Sequence, residues 1–149
     1  MSKALLYPRF WEKFLERLRE THPDWSGALV PSSQGWMGFR STLPLTHPTC
    51  GFAAGGRLRS ELFIDSGDQE RNRRIFESLL SQREVMERAY GRPLNWEALP
   101  HARMCRVADY RDDGDVTFQD RHDEYIDWFL DAGVRLRRAT AAIVPPSSS

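Results

Sequence analysis

From Pro8 to Glu20 the apolar residues return at steps of three and four. Phe10, Trp11, Phe14, Leu15 and Leu18 form one stripe, which predicts an amphipathic helix over residues 8–20. Pro8 suits a first helical turn, where its missing N–H costs no bond. "THPDWSG" breaks the helix and "VPSSQG" continues as loop. From Gly35 the period shortens to that of strands. Strands are expected over 36–43, over 48–56 with a Gly-Gly turn at its end, and over 57–65. In the last of these, Leu58, Ser60, Leu62 and Ile64 fall on one face, and Arg57, Arg59, Glu61 and Phe63 on the other; successive side chains of a strand alternate. These three strands predict an antiparallel meander.

Helical spacing then returns. Ile75, Phe76, Leu79, Leu80, Val85, Met86 and Tyr90 predict one helix over 68–90, capped by Asp68 or Ser66 and ended by Gly91 and Pro93. "LNWEAL" reads as a short strand or turn, and "ARMCRVADY" as a strand over 102–110. After the "RDDGD" turn, Tyr125, Ile126, Phe129, Leu130, Val134 and Leu136 predict a last helix over 120–138. The order implies an α+β fold: an antiparallel sheet of four or five strands with about three helices, packed mainly on one face. Residues 1–140 are expected to form one domain and 141–149 a flexible C-terminal tail.

Composition narrows the class. The 149 residues are 40% hydrophobic and 11% aromatic, as in globular proteins. The formal net charge is zero, so electrostatic binding must come from a local patch. The start of the chain has neither the long apolar core nor the small-residue cleavage site of a signal peptide. No apolar run reaches the ~20 residues of a membrane span. With two cysteines and no disulfide framework, the expected setting is a reducing cytoplasm, away from membranes.

"RSELFIDSGDQERNRRIFESLLSQREVMERAYGRPLNWEAL", then "RVADY" and "YIDWFLDAGVRL", resembles an uncharacterised bacterial domain-of-unknown-function family. The positions that carry the resemblance are Glu61, Leu62, Ile64, Asp65, Asn72, Ile75, Phe76, Leu94, Trp96, Glu97 and Leu99; "FWEKFLERL" extends it over the chain to about residue 140. Such domains often stand C-terminal to restriction-endonuclease-like domains. The resemblance implies an association with nucleic-acid processing or phage defence, and it carries over no catalytic residue.

Four constellations merit weighing. Arg57, Arg59 and Glu61, with Arg40 and Trp36 from neighbouring positions, would form a sheet face able to bind single-stranded nucleic acid by phosphate contact and stacking. A solvated face with Arg–Glu pairs explains the same residues. His47, Cys50, His101 and Cys105 are a zinc-like set at unfamiliar spacing. Asp109, Asp113 and Asp120 fall at calcium-loop positions, with Arg111 standing where a ligand belongs. Glu61 and Asp65 lack the nearby lysine of a restriction-type nuclease. Trp96 reads as a core plug whose indole N–H needs a partner.

The expectation is therefore a non-enzymatic binding or accessory module without cofactor, whose partner is a nucleic acid or a separate nuclease or defence protein. The alternatives are a small metal-dependent hydrolase or nuclease using Glu61, Asp65 and acids of the 109–120 loop, and a homodimeric scaffold.

Overall fold

A computed structural model describes residues 2–28, 30–99 and 104–146. The first helix, α1, spans Lys3–Thr21 and so begins a turn before Pro8. Leu6, one turn ahead of Phe10, is buried. Its burial offsets the bond that Pro8 cannot make within the helix. The stripe it joins packs with Trp25, Met37, Cys50, Leu58, Ile126 and Phe129 in a first core rich in aromatic residues.

The sheet has five antiparallel strands, in the order β1 (Trp36–Gly38), β2 (Thr46–Ala53), β3 (Arg57–Ile64), β5 (Cys105–Asp112), β4 (Asn95–Ala98). The strand expected over 36–43 stops at Gly38. Beyond it the Arg40 N–H turns to the Trp25 carbonyl and Leu43 drops into a second core. The β2–β3 hairpin turns through Gly55 and Gly56, both at positive φ, where a side chain would be strained.

The helix expected over 68–90 is two helices, α2 (Gln69–Leu80) and α3 (Arg83–Tyr90). Asp68 caps α2 as expected, accepting the Glu70 and Arg71 N–H groups. Fully buried Asn72 ties the turn before the cap, accepting from the Ser66 N–H and hydroxyl at 2.7 Å each. The break falls at Gln82, whose amide exchanges two hydrogen bonds with the Val144 backbone, at 2.9 and 2.8 Å. The break exposes Val85, which a continuous stripe would have buried. It also holds the end of the chain: Ile143 is buried in the second core, so residues expected in a loose tail are docked as far as 144. Residues 147–149 lie outside the described ones.

The last helix, α4, covers His122–Ala141 after a short 3-10 turn at Gln119–Arg121. It runs past both cores, giving Phe129 to the first and Leu136 and Ala139 to the second. The strand residues in these cores, Cys50, Leu58, Leu62, Ile64, Cys105 and Val107, share one face by the register. The helices thus cover that face. The opposite face carries Trp36, Gly38, His47, Thr49, Arg57, Arg59, Glu61, Phe63, Glu97, Arg106 and Tyr110.

Candidate functional site

On the helix-free face the register sorts the residues into rows across the strands. Gly38, Thr49, Glu61 and Ala108 lie in one row. On one side of it stand Trp36, Arg59 and Tyr110; on the other, His47, Phe63 and Arg106. The outer rows are four residues apart along a strand, about 13 Å. The middle row is small at Gly38 and Thr49, so the face sinks there into an open trough of about 590 Å³. Asp65, Met104 and Phe39 complete its rim.

Glu61 lies in the floor, with only 4% of its surface exposed. Its Oε2 is 3.1 Å from Arg59 Nε and 3.3 Å from Arg106 Nε. Neither approach has hydrogen-bond geometry, and Oε2 and Arg106 Nε both lack a hydrogen-bond partner. Burial pushes the Glu61 carboxyl above its usual range; the two guanidiniums draw it back, and Glu97 adds to the rise. Beside it, the Tyr110 hydroxyl donates to Glu97 at 2.6 Å. Burial first, then that bond, raises the Tyr110 phenol. Ala108, whose side chain is small, leaves room for this cluster to close over it.

Trp36 is 55% exposed, which leaves its ring free to stack. Of the residues expected on this face, Trp36, Arg59 and Glu61 all line the trough. Arg57 shares the face, but its guanidinium lies 4.1 Å from the Tyr110 ring centroid, outside the trough. Arg40 does not join: past the end of β1, its guanidinium donates to the Asp24 carbonyl at 3.3 Å. Arg106, which the strand over 102–110 offers on one face and Arg103 on the other, joins this site, and Tyr110 and Glu97 were not among the expected residues. In "RVADY" Arg106 and Tyr110 are four residues apart and so share a strand face, and the strand order puts that face beside Arg59 and Glu61.

The other constellations disperse. His47 opens into the trough, whereas Cys50 points into the first core on the opposite side of β2. Burial, with Glu61 adding to it, pushes the Cys50 thiol well up. Cys105 belongs to the second core, and His101 lies outside the described residues. Asp109 faces the helices, accepting from the Tyr90 hydroxyl at 2.6 Å and Arg92 Nε at 2.9 Å. Asp113 instead turns the chain at positive φ, its carbonyl accepting from Tyr125, and Asp120 sits in the exposed 3-10 turn. Among the described residues no three His, Cys, Asp or Glu side chains stand together as a metal site. Trp96 is half-buried against the second core, and its indole N–H donates to Glu87 at 3.1 Å.

The molecule is thus a two-layer α+β domain with a helix-free sheet face that carries a trough of mixed aromatic and charged lining. The chain belongs to a family defined by a domain of unknown function, DUF4268, whose model matches residues 6–144. Comparison with curated proteins and with solved structures finds no match. Among the described residues no helix is long and apolar enough to cross a membrane.

Proposed function

We propose that this protein is a non-enzymatic binding module that takes single-stranded nucleic acid on its helix-free sheet face. The observation that carries the reading is the trough itself, lined by an exposed indole and by two guanidiniums that flank a buried carboxylate. Exposed aromatic rings on a sheet stack on unpaired bases, and guanidiniums bond to bases or phosphates. Duplexes hide the base faces such a surface needs. The family resemblance supports an accessory role, in which the module presents a strand to a nuclease or defence protein on another chain.

The charges favour binding over metal chemistry. Two guanidiniums stand against Glu61, where a catalytic cation would have to sit. Across the face the three guanidiniums of Arg57, Arg59 and Arg106 are outnumbered by the four acids Glu61, Asp65, Glu97 and Asp112, so affinity rests on stacking and hydrogen bonds more than on net charge. The salt slope of log K should then be about −1 or shallower, the worth of one phosphate contact on a single strand.

Fluorescence anisotropy with labelled single- and double-stranded DNA and RNA, over a salt series, tests this. Single strands should bind in preference to duplexes. Trp36→Ala or Arg59→Ala should weaken binding about tenfold, in line with ~1–3 kcal/mol per stacked base, and Arg57→Ala should weaken it little. Equal binding of duplex with a steep salt slope, or indifference to Trp36 and Arg59, would overturn the reading.

A further inference from the structure

The strand-binding reading leaves open whether the trough tells one base from another, and the state of its polar groups bears on that. In the floor, Glu61 Oε2 and Arg106 Nε each expose less than 1 Å². The Arg59 and Arg106 guanidiniums turn onto that oxygen, at 3.1 and 3.3 Å, and onto the Tyr110 hydroxyl, which donates to Glu97 at 2.6 Å. The Thr49 hydroxyl donates to the His47 carbonyl at 3.1 Å. The charges of the floor therefore face one another, and a bound base meets no row of free donors and acceptors there. Base edges are read by such rows; without one, what remains to a base is its ring.

For the ring there is a partner. The Trp36 indole is 55% exposed, and the backbone beneath it is fixed. The Ser32 hydroxyl donates to the Trp36 carbonyl, the Phe52 N–H to the Gly35 carbonyl and the Trp11 indole N–H to the Gln34 carbonyl, each at 2.8 Å. Across the ladder Trp36 stands opposite Gly51. A Cβ built on Gly51 would lie 2.5 Å from the Gly35 carbonyl oxygen and 2.8 Å from both Cα and Cβ of Trp36. Two of these three atoms are backbone, so even a methyl group at residue 51 must push β1 off β2. Glycine within a strand marks such a close approach of another backbone.

Resting on the reading above, we infer that the trough takes unpaired bases of any identity by their rings and not by their edges, with Gly51 as the positioning residue that seats Trp36. Every base has a ring surface, so stacking tolerates sequence. An aromatic side chain on a fixed backbone has little freedom left to lose on binding, and preorganisation of that kind raises affinity. Phe63 and His47 supply further ring surface across the trough. The Arg59 side chain, 27% exposed, is left for a phosphate, a group that recurs with every nucleotide whatever its base.

The test is competition anisotropy with the full chain and short strands of dT, dC, rU and mixed sequence. Their affinities should differ by less than about fivefold, below what one matched base edge supplies. A strand carrying difluorotoluene, a thymine-shaped ring without the hydrogen-bonding edge, should bind at least as well as dT. An abasic strand should bind about tenfold or more weakly. Gly51→Ala should weaken dT binding by a factor close to that of Trp36→Ala, and the double variant should lose no more than Trp36→Ala alone, because both act on one contact. In a chain labelled with 5-fluorotryptophan, Gly51→Ala should move the Trp36 fluorine resonance and leave those of Trp96 and Trp128 in place, which separates loss of the seat from loss of the fold. A larger spread among the strands, or loss of binding with difluorotoluene, overturns ring recognition and leaves strand binding standing. Additive losses from the two substitutions, or movement of the Trp96 and Trp128 resonances as well, overturns the part given to Gly51. Failure of every strand to bind overturns both readings.

Discussion

Two buried carboxylates sit back to back on the central strands, and their surroundings differ. Asp109 pairs with Ser60 and points into the helix layer; Glu61 pairs with Ala108 and points to the helix-free face. Both are almost wholly shielded, at 7% and 4% exposure. Asp109 is held by the Tyr90 hydroxyl and by Arg92, whose Nη2 also approaches to 2.7 Å. Glu61 has two cations beside it and a hydrogen-bond position unfilled. Burial of an acid is thus no pointer to function by itself. The carboxylate held by Tyr90 and Arg92 ties a helix end to the sheet, and the other lies shielded beneath two guanidiniums on the helix-free face.

The largest effect expected from this contrast lies on the structural side. Asp109→Ala strands a buried hydroxyl and the Arg92 charge, and should cost about 3 kcal/mol or more. In a chain of this size that corresponds to a fall in Tm of roughly 10 °C, measured by thermal denaturation, with strand binding of the folded fraction unchanged. A drop in binding without a drop in Tm would reverse the roles given to the two acids.

Tyr90→Phe sharpens the same point at lower cost. It removes one donor to Asp109 and leaves Arg92 in place, for a loss of about 1 kcal/mol measurable in urea denaturation. Burial and the Asp109 contact raise the Tyr90 phenol, so the hydroxyl remains a donor throughout the accessible pH range.

The smallest effect belongs to Glu61. Its folded-state value is raised above the ordinary 4.5, so between those two values the folded chain binds more proton than the unfolded one. Its contribution to stability therefore declines as pH rises from about 4.5 through the raised value. Glu87 has the opposite sign: burial alone would raise it, but bonds from the Leu94 N–H, Trp96 and Arg83 outweigh that and hold it low. Its contribution is present at neutral pH and lost as pH falls through the lowered value. Denaturation midpoints across pH for Glu61→Gln and Glu87→Gln should deviate from wild type in opposite directions. Deviations of the same sign would contradict the two environments described for them.

Much of the fold could be read from spacing. The strand 57–64 was legible because Leu58, Leu62 and Ile64 alternate with Arg57, Arg59 and Glu61. The stripe from Phe10 to Leu18 and the cap at Asp68 were legible for the same reason: each rests on residues within a turn or two of one another. The single helix drawn over 68–90 failed where a distant segment intervened, since Gln82 breaks it by pairing with Val144, 62 residues on. Arg40 was misplaced because the chain leaves the sheet at Gly38 to reach Trp25.

The sequence by itself determined the α+β class, the alternation of β3 and hence that Arg59 and Glu61 share a face, since side-chain direction in a strand follows from the backbone alone. Only the tertiary structure decided that Arg106 flanks Glu61 opposite Arg59, that Gly38 and Thr49 hollow the floor, and that the face left free of the described helices is the one carrying Arg59 and Glu61. Those facts depend on strand order and register across 36 to 112, which are set by how the two cores pack and not by any local run of residues.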